Sequence, residues 1–297
     1  MEMDNYIISC CSTVDSDTQW VEEKGVAVAH FHLYLGDDEY LDDFYQSISP
    51  KELYSRMLAG EMSRTSQVNT EEYCELWEPF LKEGKDILHL TLSSGISGTL
   101  NSALAAADML NEQYPERTIR VIDSLCASGG YALLVDKAAE LRDSGMGFRE
   151  LGDWLEEHKL NILHLVGTTD LTFFIRGGRI SKTAGFFGKA LNICPYIEVD
   201  ENGKLAVLGK VRTKNRTFRK IVDNMLSRAE GGQNYSGKAY IGHSDRPEDA
   251  LLLKKMVEET FPNLAEEPRI YPVGATIGCH TGPGTLTLFC FGKKRDF

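Results

Sequence analysis

Short apolar runs alternate along the chain with longer stretches whose apolar residues recur every three or four positions. The runs predict strands over 6–10, 26–34, 87–92, 119–122 and 162–167, then 196–199, 204–211, 239–243, 269–273 and 286–291. Helices are predicted over 49–59, 70–82, 97–111, 128–143 and 147–158, several opened by Ser, Thr or Pro, and helical pattern fills most remaining gaps. Within 97–111, Leu100, Leu104, Ala107 and Leu110 share one helical face. Strand and helix in alternation mark β-α-β units, so the fold class is α/β. Five such units can close a core, which predicts an N-terminal parallel-sheet domain over 1–160 and a second α/β domain over 161–297. The second half differs in texture. Val199-Asp200-Glu201-Asn202-Gly203-Lys204 reads as a hairpin turn between alternating strands, so its sheet is expected to be mixed.

Composition narrows the function classes. With 32 Lys and Arg against 44 Asp and Glu over 297 residues, the net charge is −12, which opposes a phosphate backbone. Nucleic acid is not an expected partner, and no DNA-binding element supports a transcriptional regulator. No run approaches the roughly 18 apolar residues of a membrane helix, and the N-terminus lacks a secretory pattern, so a cytoplasmic protein that does not span a membrane is expected. The seven cysteines lack C-x-x-C spacing and sit in apolar segments, as small buried hydrophobes in a reducing compartment do.

Four polar segments interrupt the pattern. Ser93-Ser94-Gly95-Ile96-Ser97-Gly98-Thr99 lies between a strand and a helix, where unpaired N–H groups and the helix dipole favour an anion and four hydroxyls add donors. Ser97 as a simple helix cap accounts for one of those hydroxyls. Arg64-Thr65-Ser66-Gln67 reads as a polar turn before the next helix, able to deliver hydroxyls to a crevice at the strand ends. Arg176-Gly177-Gly178-Arg179 sets two guanidinium groups about a glycine pair, suited to a carboxylate or phosphate and equally to an ordinary surface turn. Ile277-Gly278-Cys279-His280-Thr281-Gly282-Pro283-Gly284 combines a histidine with a tight glycine loop. The other histidines read as structural, and no metal site is expected. Two further segments are decoys. The stretch from Gly232 to Lys238 matches a phosphate loop until Ala239 replaces the needed Ser or Thr, and it leads into a strand. Gly95-Ile96-Ser97-Gly98-Thr99 begins like a nucleophile elbow, but Thr99 stands where the second glycine belongs.

In chain order, Thr65-Ser66-Gln67, Ser93 to Thr99, Asp123-Ser124, Arg176-Gly177-Gly178-Arg179, Lys210-Val211-Arg212 and His280-Thr281-Gly282-Pro283-Gly284 resemble the DegV family nearly end to end. The resemblance implies a bacterial protein of two α/β domains that buries a long-chain fatty acid in an apolar tunnel and holds its carboxyl group between the domains. It needs no cofactor beyond that ligand. Some members serve as the binding subunit of a fatty acid kinase, presenting the carboxyl group to a separate kinase subunit that makes acyl-phosphate for phospholipid synthesis. Carried over by the resemblance, the carboxylate-binding hydroxyls match Thr65 and Ser97, with Ser66, Ser94, Gly95 and Gly98 in the same turns, and the site histidine matches His280. Arg176, Arg179 and Arg212 fall in motifs shared by the family, and the resemblance leaves open whether they orient the head group, hold the domains or face the kinase. Tunnel walls are expected to include parts of 184–193. Two departures stand out: Cys11-Ser12 replaces the family's Asp-Ser, and Val68-Asn69 stands where Pro-Ser commonly follows.

Elementary energetics agree with a lipid ligand, since each buried methylene contributes about 0.8 kcal/mol and neutral hydroxyls then suffice to fix the carboxylate. The rival expectation is a hydrolase or transferase on a small acyl or phosphorylated substrate, with Ser97 as nucleophile and His280 as acid-base group.

Overall fold

The computed structural model describes residues 5–183 and 193–297. Of the 184–193 stretch expected in the tunnel wall, 184–192 lie outside the described residues. The N-terminal half runs β1 (Tyr6–Cys11), α1 (Thr18–Lys24), β2 (Val26–Ala29), β3 (His32–Leu35), β4 (Asp38–Leu41), α2 (Pro50–Leu58), β5 (Ser63–Ser66) and α3 (Thr70–Lys82). It continues through β6 (Asp86–Thr91), α4 (Thr99–Gln113), β7 (Ile119–Asp123), α5 (Ser128–Asp143) and α6 (Phe148–His158). Then follow β8 (Ile162–Gly167), α7 (Thr172–Arg176), β9 (Ile193–Val199), β10 (Leu205–Arg212), α8 (Lys214–Arg228), β11 (Ala239–His243), α9 (Pro247–Thr260), β12 (Arg269–Pro272), α10 (Ala275–Thr281) and β13 (Leu286–Phe291).

Three sheets result. The first, β2-β1-β6-β7, is wholly parallel, as the N-terminal pattern predicts. The second, β10-β9-β8-β13-β11-β12, is mixed: only β11 and β12 run parallel, and the hairpin at 199–204 joins β9 to β10. The α/β class with a parallel and a mixed sheet is therefore the observed architecture. Between the two lies α5, buried along most of its length and touching β1 of one sheet and β8, β11 and β13 of the other. Gly129 and Gly130 permit that approach, because a Cβ at either would collide with Phe289 or His164.

The third sheet, β4-β3-β5, is small and antiparallel and departs from the pattern-based reading. The run 26–34 is not one strand: the chain leaves the parallel sheet after Ala29 and joins this one at His32. Between them, the Phe31 N–H bonds Ser12 Oγ (3.1 Å), the Phe31 carbonyl accepts from the Asp42 N–H (2.8 Å), and His30 Nδ1 pairs with the Asp42 carbonyl (2.8 Å). Side-chain and loop partners there replace the ladder. Likewise 64–67 is not a turn, since Ser63–Ser66 pairs with β3. Packing against this sheet, α2 and α10 enclose a core that includes Leu33, Leu35, Leu53, Tyr54, Met57 and Cys279. In α4 the buried stripe is Thr99, Ala103, Ala106, Ala107 and Leu110; Leu104, expected inside, is 42% exposed, because the stripe is turned toward the small residues that let the helix sit close to its sheet. The cysteines are free thiols, six of them buried.

Candidate ligand-binding site

Where the small sheet, the turn between β6 and α4 and the second sheet meet, a narrow cavity opens. Phe31, Leu92, Ile96, Val166, Phe174 and Phe289 contribute apolar wall. At one place Thr65, Ser97, Arg179 and His280 converge on it, from four separate segments of chain.

Each is held by local structure. Thr65 sits on β5 opposite Leu33, and its hydroxyl faces His280 Nε2 at 2.8 Å. Ser97 closes the turn before α4: its N–H bonds the Ser93 carbonyl (3.1 Å) and its hydroxyl accepts from the Thr99 N–H (3.3 Å). The formal N-cap of α4 is Gly98, which makes no side-chain bond, so the Ser97 O–H remains a donor. His280 lies in the last turn of α10, whose end is set by Gly282 at φ +66, a left-handed conformation natural to glycine. Arg179 reaches back with Nε to the Ile96 carbonyl (3.2 Å) and Nη1 to the Gly177 carbonyl (2.7 Å) and His280 Nδ1 (3.3 Å). Gly177 must be glycine here, because a Cβ would overlap the imidazole.

These contacts set the direction of the hydrogen bonds. A guanidinium only donates, so Nδ1 of His280 accepts, Nε2 carries the proton and Thr65 Oγ1 accepts from it. The Thr65 O–H is thereby free to point at a ligand. Burial first, and the Arg179 charge second, lower the imidazole's pKa from 6.5 to about 4, so the ring is neutral at pH 7. Burial also lowers Arg179, which stays a cation from so high a starting value. Two hydroxyl donors beside a half-buried guanidinium are chemistry suited to one anionic group, and the apolar wall is suited to hydrocarbon. With both imidazole nitrogens engaged by Thr65 and Arg179, a serine–histidine nucleophile pair is not assembled.

The other residues singled out from the sequence fall outside the cavity wall. Ser94 is exposed, its N–H bonding Asp123 Oδ1 (3.1 Å). Gly95 packs against the backbone of Asn202 and Gly203 in the β9–β10 turn, and Gly98 against the Gln67 side chain. Ser66 ends β5 opposite His32. Exposed Arg176 lies over the Phe173 ring at 5.3 Å, and exposed Arg212 ends β10. The structure adds Ser93, whose buried hydroxyl bonds the Gly203 carbonyl (2.8 Å) and so ties the turn to the second sheet. It also adds Ser128 and Thr276; the spacing of Thr276 four residues before His280 was the available signal for the latter. Cys11 sits behind the site, its Sγ 3.3 Å from the Tyr73 hydroxyl, which in turn contacts Thr99 Oγ1 (2.8 Å). At the phosphate-loop decoy, 232–234 form a 3₁₀ turn, and Lys238 pairs with Asp136 at 2.6 Å. Among the described residues no group of three or more His, Cys, Asp or Glu gathers to hold a metal, and no helix is long and apolar enough to cross a membrane.

The cavity thus lies between two α/β halves, with hydroxyls, a neutral imidazole and a guanidinium gathered at one place on its wall. The chain belongs to the DegV family, whose model matches residues 8–293. A DegV domain-containing protein of Clostridium perfringens is 32% identical over 294 residues, covering 99% of this chain and 100% of the relative. Among solved structures, a fatty-acid-binding DegV family protein of Thermus thermophilus superposes with a TM-score of 0.87 at 25% identity, over 97% of this chain and 100% of that one. The Streptococcus pneumoniae Fatty Acid Kinase (Fak) B3 protein, loaded with linoleic acid, shares the fold with a TM-score of 0.83 at 22% identity, over 97% of this chain and 100% of that one.

Proposed function

We propose that this protein binds a long-chain fatty acid, hydrocarbon in the cavity and carboxylate at Thr65 and Ser97, with His280 and Arg179 fixing the Thr65 hydroxyl as a donor. The observation that carries the reading is the convergence of those four side chains at one place on a cavity whose wall includes Phe31, Leu92, Ile96, Val166, Phe174 and Phe289. Burial of the chain supplies affinity at about 0.8 kcal/mol per methylene, and the hydroxyls supply orientation. The fatty-acid-binding Thermus thermophilus protein of the same fold supports the ligand class.

In the fuller form of the proposal, the protein performs no chemistry of its own and presents the carboxyl group to a kinase subunit. That partner transfers the γ-phosphoryl group of ATP to a carboxylate oxygen, releasing ADP and leaving acyl-phosphate for lipid metabolism. The motive for the kinase step is the shared fold of the Fatty Acid Kinase (Fak) B3 protein. The exposed Arg176 and Arg212 agree with a docking role. Native mass spectrometry of the protein purified from a bacterial host, followed by denaturing extraction, tests the first part: a stoichiometric adduct with a fatty acid's mass supports it. An empty protein that takes up no added fatty acid refutes it. ATP-dependent acyl-phosphate formation with an added fatty acid kinase subunit tests the second.

A further inference from the structure

We infer that Phe289 and His164 form a stop in the acyl cavity, away from the head group, and so set the length of fatty acid the protein accepts; the inference rests on the fatty-acid reading above. One face of the second sheet floors the cavity. Side chains alternate between the faces of a strand, so Thr285, just before β13, shares a face with Thr287 and Phe289, as Val166 does with His164 on β8; all five line the cavity. The register pairs Thr287 with Val166 and Phe289 with His164, and Thr285 bonds Thr168 (3.1 Å), which makes three successive rungs. The Thr285 rung lies beside the head-group residues, since Thr285 Oγ1 is 3.5 Å from the carbonyl of Thr281, which follows His280. Four residues of strand then set the Phe289 rung about 13 Å away. The next rung on that face, Phe291 opposite Ile162, is already core: Phe291 packs on Trp154 with ring centroids 6.4 Å apart, and Ile162 is fully buried with residues of the first sheet.

The Phe289 rung is rigidly held. Its two rings meet edge to face, with centroids 5.3 Å apart. His164 accepts from the Ala127 N–H at Nε2 and donates from Nδ1 to the Ile162 carbonyl, both at 3.1 Å, so its orientation and tautomer are fixed and a methyl terminus leaves none of its polar atoms unpaired. Burial first, and the Arg295 charge second, push its pKa well below 6.5, so the ring is neutral at pH 7. Behind both rings stands α5, whose Gly129 and Gly130 approach too closely to admit a Cβ. The floor before the stop differs. Thr285, Thr287 and Val166 are smaller, and both hydroxyls are engaged, Thr285 with Thr168 and Thr287 with the Gly242 backbone (3.0 and 3.3 Å), so neither asks the ligand for a polar partner. Hydrocarbon can therefore advance along the sheet until it meets the two rings. An extended zigzag chain of single bonds advances roughly 1.2 Å per bond, so each rung spans about five or six carbons.

The test measures Kd of delipidated protein for saturated acids of increasing length, from octanoic to docosanoic acid. Up to a limiting length each added methylene is expected to tighten binding about 4-fold, and beyond it to add nothing or weaken binding. The F289A variant is expected to move that limit outward by about two or more carbons, within the reach of the removed ring. V166F, which raises a ring one rung nearer the head group, is expected to move it inward by about five carbons. Circular dichroism establishes that each variant is folded; if F289A unfolds, F289L takes its place with a smaller outward shift expected. A limit that stays at the wild-type length in the folded Phe289 variant, or that V166F does not shorten, overturns the inference, as does a wild-type series with no limit. Failure of every acid to bind refutes the fatty-acid reading itself, an outcome distinct from binding without a limiting length.

Discussion

Replacing Thr65 by Val keeps the shape of the side chain and removes only its hydroxyl, so it isolates the head-group bond. In the free protein the change orphans the Nε2 proton of His280, 2.8 Å from Thr65 Oγ1, at a cost of about 1–3 kcal/mol for a buried donor. With a carboxylate bound, it deletes a hydrogen bond to a charged acceptor, worth about 1.5–3 kcal/mol. At about 1.4 kcal/mol per factor of ten, Kd rises roughly 10- to 150-fold. Ser97→Ala is expected to act in the same range, and the pair less than additively, since both hydroxyls serve one carboxylate. Isothermal titration of delipidated protein with palmitate gives Kd, and far-UV circular dichroism establishes that the fold persists. A change of less than about threefold in both single variants, with the fold intact, refutes the assigned donor role.

The remaining predictions concern protonation and close packing. Because the pKa of His280 is about 4 in the folded protein against 6.5 ordinarily, the unfolded chain takes up a proton between those values that the folded one refuses. His280 therefore contributes no penalty above about pH 6.5 and destabilises progressively as pH falls toward 4, and buried His89, lowered to about 3, adds in the same direction. An imidazole NMR titration with a His280 midpoint above 6 contradicts this. Asp15→Asn is expected to leave thermal stability at pH 7 unchanged or raised, because Asn is neutral and accepts φ +49 readily; a fall beyond about 1 kcal/mol shows that an ionised carboxylate is needed. Gly177→Ala drives a Cβ into His280 and is expected to weaken fatty acid binding at least tenfold without touching the ligand. Unchanged titration curves sink that account.

Much of the frame was legible because its signals are local. The runs at β1, β6, β8, β11 and β13 are apolar on both faces, and the 199–204 turn announces antiparallel pairing. The small sheet was not legible. Its strand β5 is Ser-Arg-Thr-Ser, polar because one side looks into the cavity and the other to solvent, so hydrophobic alternation never appears. Helix α10 is seven residues between two glycines, with Ile277 its one large apolar side chain, too short for periodicity to show. Thr65, Ser97, Arg179 and His280 were picked out by motif, but their meeting depends on α10 crossing to β5, a contact between residues 215 apart. Ser94 and Gly95 share the turn with Ser97 yet face elsewhere, since a turn presents its side chains in different directions. The Asp15 and Asp42 carboxyls carry no sequence signal of burial, because charged residues are ordinarily outside.

The order of strands in the second sheet bears on how the protein is made. β13, although it follows the other strands in the chain, lies between β8 and β11, and β8 precedes it by more than 100 residues. During synthesis the first sheet can form as soon as β7 has emerged, but the second has a gap at its centre until β13 arrives. Arg295 then fastens the result, its guanidinium bonding the carbonyls of Leu125 (2.8 Å), Lys159 (3.3 Å) and Asp200 (2.8 Å) from both halves of the molecule. A nascent chain that already displays Thr65 and Ser97 thus still lacks the part of the cavity wall that Thr287 and Phe289 supply, and the cavity is complete only once β13 has been added.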